Sequence, residues 1–291
     1  MKTRLLGGLC VAMLCGGWAE AESLAEAVAR LDKAAAGVRD LAIKFALDGA
    51  SYRVPEGSAR PVKKMTISGT AEFQMLRDAG KCLMRVAAST VQEWQGTDPA
   101  APPERRQENQ LVVNDGQFHW TEARRSGSDV VSVRKEGGPA DGLNVRGRSQ
   151  ALLDGAYRTR GLKGEIEELA KRADVRLGGK GSVAGRATTI IELSARAKRP
   201  DDPNGLVHGM PPARSVCELD DATGAALALK DLNWVGDMVM SISATEVKVN
   251  SGIDRKLFSY TPPAGAKVRD VTQPPEKQAQ PTAPEAGKNA P

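Results

Sequence analysis

A two-residue alternation of apolar and polar side chains, recurring from Met65 almost to the end of the chain, most limits what this sequence can fold into. In its first long instance Met65, Ile67, Ala71, Phe73 and Met75 fall on one face, with Thr66, Ser68, Thr70, Glu72 and Gln74 on the other. Successive strand residues point to opposite sides of a sheet, so this spacing predicts a half-buried strand and not a helix. Arg77 shares the parity of the apolar row, which places a cation at the end of the buried face. The turn Asp78-Ala79-Gly80 then leads into Cys82–Ala88 as a hairpin partner. A second hairpin is predicted from Leu111–Val113 and Gln117–Thr121 around Asn114-Asp115-Gly116, because Asp-Gly supplies the positive φ of a tight turn. More strands are predicted at Asp129–Lys135, Val175–Leu177, Ala187–Ala195, Ala213–Leu219, Ala226–Trp234 and Met238–Val249. Turns are expected between them at Gly178-Gly179, Gly185, Asp220–Gly224 and Gly236.

Helical spacing occurs in only two places. Ser23-Leu24-Ala25-Glu26 has the form of a capping box, and Leu24, Ala27, Val28, Leu31, Ala35 and Val38 follow at helical intervals. Leu41–Leu47 then turns strand-like and runs into a polar loop with Pro55, Gly57 and Pro61. In the middle of the chain Gln150–Tyr157 and Leu162–Ala173 read as two short helices. Thr97–Asn109, with three prolines and several charges, reads as a surface insertion. After Val249 the chain turns through Asn250, Ser251 and Gly252. It then presents Leu257 and Ser259 on one side and Phe258 and Tyr260 on the other, before Pro262 and Pro263, which lack backbone donors. That piece is expected to dock by its side chains at an edge or rim. Helices at the start and in one central insert of a strand-rich chain predict an α+β, mainly β fold. Its expected form is a single antiparallel sheet with helices over one face.

The two ends stand apart from this core. Lys2 and Arg4 precede an apolar run, Leu5–Trp18, and Ala19-Glu20-Ala21 has the small residues of a cleavage site. The run is shorter than the ~20 residues that span a bilayer, so residues 1–21 are expected to be a secretory signal peptide. Residues 273–291 hold five prolines and no large apolar side chain, the composition of a disordered tail. A single domain over residues 22–272 remains. Lys2, Arg4 and Glu20 leave with the leader, so the net charge of +5 becomes +4. No block of like charge and few aromatics accompany it, which argues against a nucleic-acid partner.

Two cysteines survive cleavage, Cys82 and Cys217, and an exported chain with two has one disulfide open to it. Two buried thiols behaving as small apolar groups are the alternative. Neither histidine joins a catalytic pattern: His119 lies between Phe118 and Trp120, and His208 in a Gly-Pro loop. Metal-ligand spacings, nucleophile elbows and Walker loops are absent from the sequence, and Gly178-Gly179-Lys180-Gly181 lacks the helix a phosphate cradle needs. No catalytic residue, metal or cofactor is expected. Methionine is the unusual component: Met65, Met75, Met84, Met238 and Met240 all fall on strands. Flexible thioethers suit adaptable apolar binding surfaces, and also ordinary cores.

Four blocks, in order, resemble the LolA-like family of periplasmic lipoprotein-sorting and lipid-binding proteins. They are the first helix running into VRDLAIKFALDG, then ISGTAEFQMLRDAGKCLMRV, QLVVNDGQFHW and KLFSYTPPAGAKVRD. The resemblance implies an unclosed antiparallel half-barrel whose concave apolar face is covered by helices. Its cargo would be a lipid or lipoprotein acyl chain, carried across the periplasm by a monomer between membrane-bound donor and acceptor proteins, without catalysis. In such carriers an arginine after the second strand's apolar row bonds to the lid, and Arg77 occupies the matching position; a strand-end cation reaching for water is the plainer alternative. The candidate ligand-binding residues lie on the methionine-bearing strands and beside this arginine: Phe73, Met75, Arg77, Met84, Val86, Trp120, Met238, Met240 and Ile242. Some relatives of the fold sense envelope stress through a protein partner, so an interaction module is the competing expectation.

Overall fold

The computed structural model describes residues 22–53, 62–95, 102–137, 157, 161–196 and 213–272. The predicted signal peptide, the loop at Pro55–Pro61, all of the predicted helix at Gln150–Tyr157 except Tyr157, the His208 loop and the Pro-rich tail lie outside them. No helix among the described residues is long and apolar enough to cross a membrane.

Helix α1 (Leu24–Ala36) begins where the capping box places it. The Glu26 backbone N–H donates to the Ser23 hydroxyl (3.3 Å), and the Glu26 carboxylate accepts from the Ser23 backbone (2.8 Å). Its apolar stripe, Ala27, Val28, Leu31 and Ala35, is buried against the sheet. Strands β1 (Asp40–Arg53), β2 (Val62–Asp78), β3 (Lys81–Trp94), β4 (Glu104–Asn114), β5 (Phe118–Arg125) and β6 (Ser132–Gly137) follow as an antiparallel meander. Helix α2 (Gly161–Ala170) then leads into a second meander of β7 (Ala173–Val183), β8 (Arg186–Ala195), β9 (Arg214–Asp220), β10 (Ala226–Leu232) and β11 (Met238–Val249). Strand β11 returns to pair with β1, and the short β12 (Lys267–Asp270) adds to β6 in parallel. The order β12-β6-β5-β4-β3-β2-β1-β11-β10-β9-β8-β7 leaves β12 and β7 as edges, so the sheet is an unclosed half-barrel of mainly β structure.

Curvature has identifiable causes. Bulges interrupt the register between Lys44 and Phe45, Ser51 and Tyr52, and Leu177 and Gly179, and bulges sharpen local twist. At Gly69, halfway along β2, an added Cβ would run into the Ser89 carbonyl oxygen of β3, so only glycine lets the two backbones approach this closely.

Three expectations about elements are corrected. Residues 104–109 belong to β4 and not to an insertion: their side chains are mostly exposed, but their backbone pairs with β3 and β5. Gly178-Gly179 is a bulge inside β7, and the turn comes later, at Ala184 (φ 50°) and Gly185 (φ 74°). Residues 255–258 form a 3-10 turn and not an extended piece, leaving Leu257 exposed and Phe258 buried.

The segment after β11 crosses the sheet. Its start is fixed by Asp40, fully buried, whose carboxylate accepts from the backbones of Ser251 (2.7 Å) and Gly252 (3.2 Å). The strap then passes seven strand positions to reach β12, ~34 Å at the usual spacing, within reach of residues 250–266 in extended form.

Candidate functional site

Residues directly opposite on paired strands share a face, so the registers trace each face across the sheet. Met75 lies opposite Leu41 and Met84, and Phe73 opposite Ile43 and Val86. On the other side of β1, Ile242 stands opposite Leu47 and Met240 opposite Gly49. Phe73, Met75, Met84 and Ile242 are buried in one cluster with Val28 and Leu31 of α1 and Leu162, Ile166 and Leu169 of α2. Six of the nine expected residues thus form one apolar row beneath or beside the helices: these four, with Val86 and Met240 packed against the cluster. Directly under the helices it is tightly packed, Met75 and Leu162 being fully buried. Farther along the strands the same face carries Leu47, Met65, Ile67, Ala71, Val86 and Met240, all half-buried. Met238 sits half-buried at the foot of β11, its carbonyl accepting from the Tyr52 hydroxyl (3.1 Å).

Arg77 lies where the row meets the helix ends. Its Nη1 donates to the carbonyl of Ala36, the last residue of α1 (3.1 Å), where a cation suits the helix dipole. Its guanidinium stands 5.8 Å from the centre of the Tyr157 ring. Tyr157 is buried, which pushes its phenol well above the ordinary range, and its hydroxyl donates to the Thr223 carbonyl (2.7 Å). Thr223 in turn donates to Asp220 (2.5 Å), which takes a bidentate pair from Arg186 (3.1 and 2.8 Å). Arg77 therefore touches both α1 and the one described residue of the central insert before α2.

Further polar contacts hold the helices over the sheet, and the sequence carried no sign of them. Asp32 of α1 accepts from the first backbone donors of α2, Leu162 (2.7 Å) and Lys163 (3.0 Å), capping one helix from another. Arg30 reaches from α1 to Glu22 (2.8 Å), Asp221 (2.9 Å) and Thr189 (2.8 Å), while Lys180 meets Thr189 and Asp221 from β7. The Arg30 guanidinium holds the Glu22 carboxyl below the usual carboxylate range. The signal for these contacts lies in tertiary distance, which no spacing encodes.

Trp120 is on the opposite face. Its register partner is Val113, itself opposite Arg85, whereas the Met75 and Met84 row continues through Asn114 and His119. Beyond β3 the apolar side of the sheet changes face: Val113 and Val133 are buried on Trp120's side, and Asn114 and His119 on the helix side. Trp120 packs against Tyr260 (5.3 Å between rings) and Phe118 (6.2 Å), with the Lys135 ammonium 4.1 Å from the Phe118 ring centre. Tyr260 donates to Glu122 (2.6 Å), and Phe258 is buried. The C-terminal strap thereby builds a second, smaller core, and Trp120 belongs to that core instead of the expected site.

Cys82 and Cys217 are not bonded to each other; both remain thiols. Strands β3 and β9 are separated in the sheet by β2, β1, β11 and β10, far more along the sheet than the ~7 Å Cα limit of a disulfide. Burial pushes the Cys217 thiol upward, which keeps it protonated and unreactive. No group of acidic, histidine or cysteine side chains among the described residues is arranged to hold a metal. A groove of about 570 Å³ lies mainly on the outer face, floored by Ala46, Ala87 and Leu111 and edged by Lys44, Arg85 and Arg124. None of the nine expected residues lines it.

No protein-family model and no curated protein matches the chain. Among solved structures it is similar to MucB, with 19% identity and a TM-score of 0.43 over 81% of this chain and 62% of that one. It is also similar to the MucA/MucB complex of Pseudomonas aeruginosa (16%, TM-score 0.35, covering 81% and 60%). A LolA superfamily protein from Nitrosomonas europaea matches at 9% identity and a TM-score of 0.28, covering 82% of this chain and 99% of that one. The chain spans about three-fifths of the MucB length, and the LolA-like likeness is one of fold.

Proposed function

We propose that this protein is a periplasmic carrier that shelters a lipid or lipoprotein acyl chain on the helix-covered face of its half-barrel, without catalysis. The observation that carries the proposal is the apolar row from Met84 through Met75 and Leu47 to Ile242 and Met240, continuing half-buried past the packed helices through Met65, Ile67 and Ala71. A bound chain would lie along that continuation, and each methylene removed from water contributes about 0.8 kcal/mol. Arg77, bonded to the end of α1 and stacked near Tyr157, is the pin whose release lets the helices shift as cargo enters. The leader-like first residues supply the route to the periplasm, and membrane-bound donor and acceptor proteins would load and unload the monomer. Native mass spectrometry of the exported protein is expected to show a co-purified lipid that Met240→Asp removes. A protein that is always empty and binds no acyl probe contradicts the proposal.

The packed cluster under α1 and α2 favours a second reading, an envelope interaction module that docks a protein partner. Recovery of one stoichiometric membrane-protein partner with no lipid supports it.

A further inference from the structure

The two ends of the sheet differ in chemistry. At one end the connections are small or polar: Asp78–Lys81, Asn114–Phe118, Val183–Arg186 and Asp220–Gly224. The other end carries Val62 (50% exposed) and Val235 (46%), two of the five exposed large hydrophobic side chains among the described residues. Trp94 is there too, directly opposite Met65, and Trp234 lies in the β10–β11 turn. Tyr52 stands opposite Lys63, and its hydroxyl reaches Met238 at the foot of β11.

Lysines and arginines flank these groups, with Glu93, Glu104 and Asp237 interspersed. Lys63 and Lys64 have no carboxylate partner among the described residues, while Arg105 and Arg106 make only 3.7 Å contacts, with Glu93 and Glu104. The Arg106 guanidinium lies over the Trp94 ring, 5.3 Å from its centre. Indole and phenol rings beside lysines and arginines match the region where acyl chains give way to headgroups, and unpaired ammonium groups match a negative surface.

We propose that this end of the half-barrel, centred on Val62–Lys64, Trp94 and the β10–β11 turn, docks onto the surface of an anionic lipid bilayer. Charge complementarity selects this occupant: the rim of a second copy would bring the same unpaired lysines, with its Glu93 and Glu104 already facing Arg105 and Arg106, whereas an anionic bilayer presents negative charge across its whole surface. The inference stands apart from the carrier reading, because docking uses the rim and cargo the helix-covered face.

The test is vesicle flotation of the mature protein with phosphatidylcholine alone and with phosphatidylcholine mixed with phosphatidylglycerol. Binding is expected only with the mixed vesicles, weakening as ionic strength rises. Lys63→Glu combined with Lys64→Glu should weaken it about tenfold or more, with an unchanged circular dichroism spectrum. Val235→Asp, in an exposed turn, should also weaken it and serves as the independent variant. An acyl probe measured in parallel should bind all variants equally. Equal binding to both vesicle types, no binding to either, or unaltered binding by the variants overturns the proposal. Concentration-dependent dimerisation that these substitutions abolish, without vesicle binding, overturns it in favour of a self-interface.

Discussion

Arg77 shows how one side chain joins the sheet to its cover. Its parity on β2 already placed it at the end of the apolar row; its bond to Ala36 and its approach to Tyr157 come from elements the strand pattern cannot reach. Arg77→Ala removes a hydrogen bond to a helix end and a cation–ring contact, so about 1–2 kcal/mol should be lost in urea unfolding. Arg77→Lys, lacking the planar fork, should recover only part of that; a full recovery would show that charge alone matters. Met75→Ala opens space under α1 and should cost about 2–5 kcal/mol. His119 gives a pH signature. Burial holds its imidazole below the ordinary range, with Arg134 acting the same way and Glu136 opposing. The unfolded chain takes up a proton near pH ~6.5 that the buried ring resists, so protonation favours unfolding and stability falls as pH drops below about 6.5. Thermal melts across that range should show the fall, and His119→Gln should reduce it; an unchanged slope would assign it to other groups. Trp120 was the residue that strand parity could not place. Alternation separates two faces without saying which is covered, and on β4–β6 the apolar side is the reverse of that on β1–β3.

Elements were legible where local pattern and tertiary environment agree. The β2–β3 hairpin, the β4–β5 turn and β11 alternate cleanly because one side is covered and the other wet, and α1 starts at its capping box. Strand β4 begins with ERRQEN, whose side chains show no buried face, so only backbone pairing with β3 and β5 makes it a strand. Gly178-Gly179 has the composition of a turn, yet sits within a paired strand, where Gly178 is the extra residue of β7 against consecutive partners on β8. Two substitutions test the element-level account. Asp32→Ala leaves the first donors of α2 without their acceptor and should destabilise by about 1 kcal/mol while raising hydrogen exchange at Leu162 and Lys163; unchanged exchange there would deny the cap its role. Gly69→Val would force β2 and β3 apart and should prevent folding to soluble protein, and normal expression with an unaltered melt would show that the close approach is dispensable.

At the scale of the whole molecule, the unclosed sheet has two apolar faces with different covers. One is sealed by helices at its upper half and left half-buried below; the other is partly sealed by the C-terminal strap, with Phe258, Tyr260 and Trp120 as its core. The single-sheet class was legible because strands run on either side of one helical insert. The strap's path was not, since nothing local says that residues 250–266 cross seven strand positions to pair with β6 in parallel. The central claim is that cargo lies on the helix-covered face. A photoactivatable fatty acid, crosslinked to the exported protein and mapped by peptide mass spectrometry, tests it most directly. The account predicts label on Met65–Met75 and Met238–Ile242; label confined to Phe118–Trp120 and Tyr260, or no specific label at all, would contradict it.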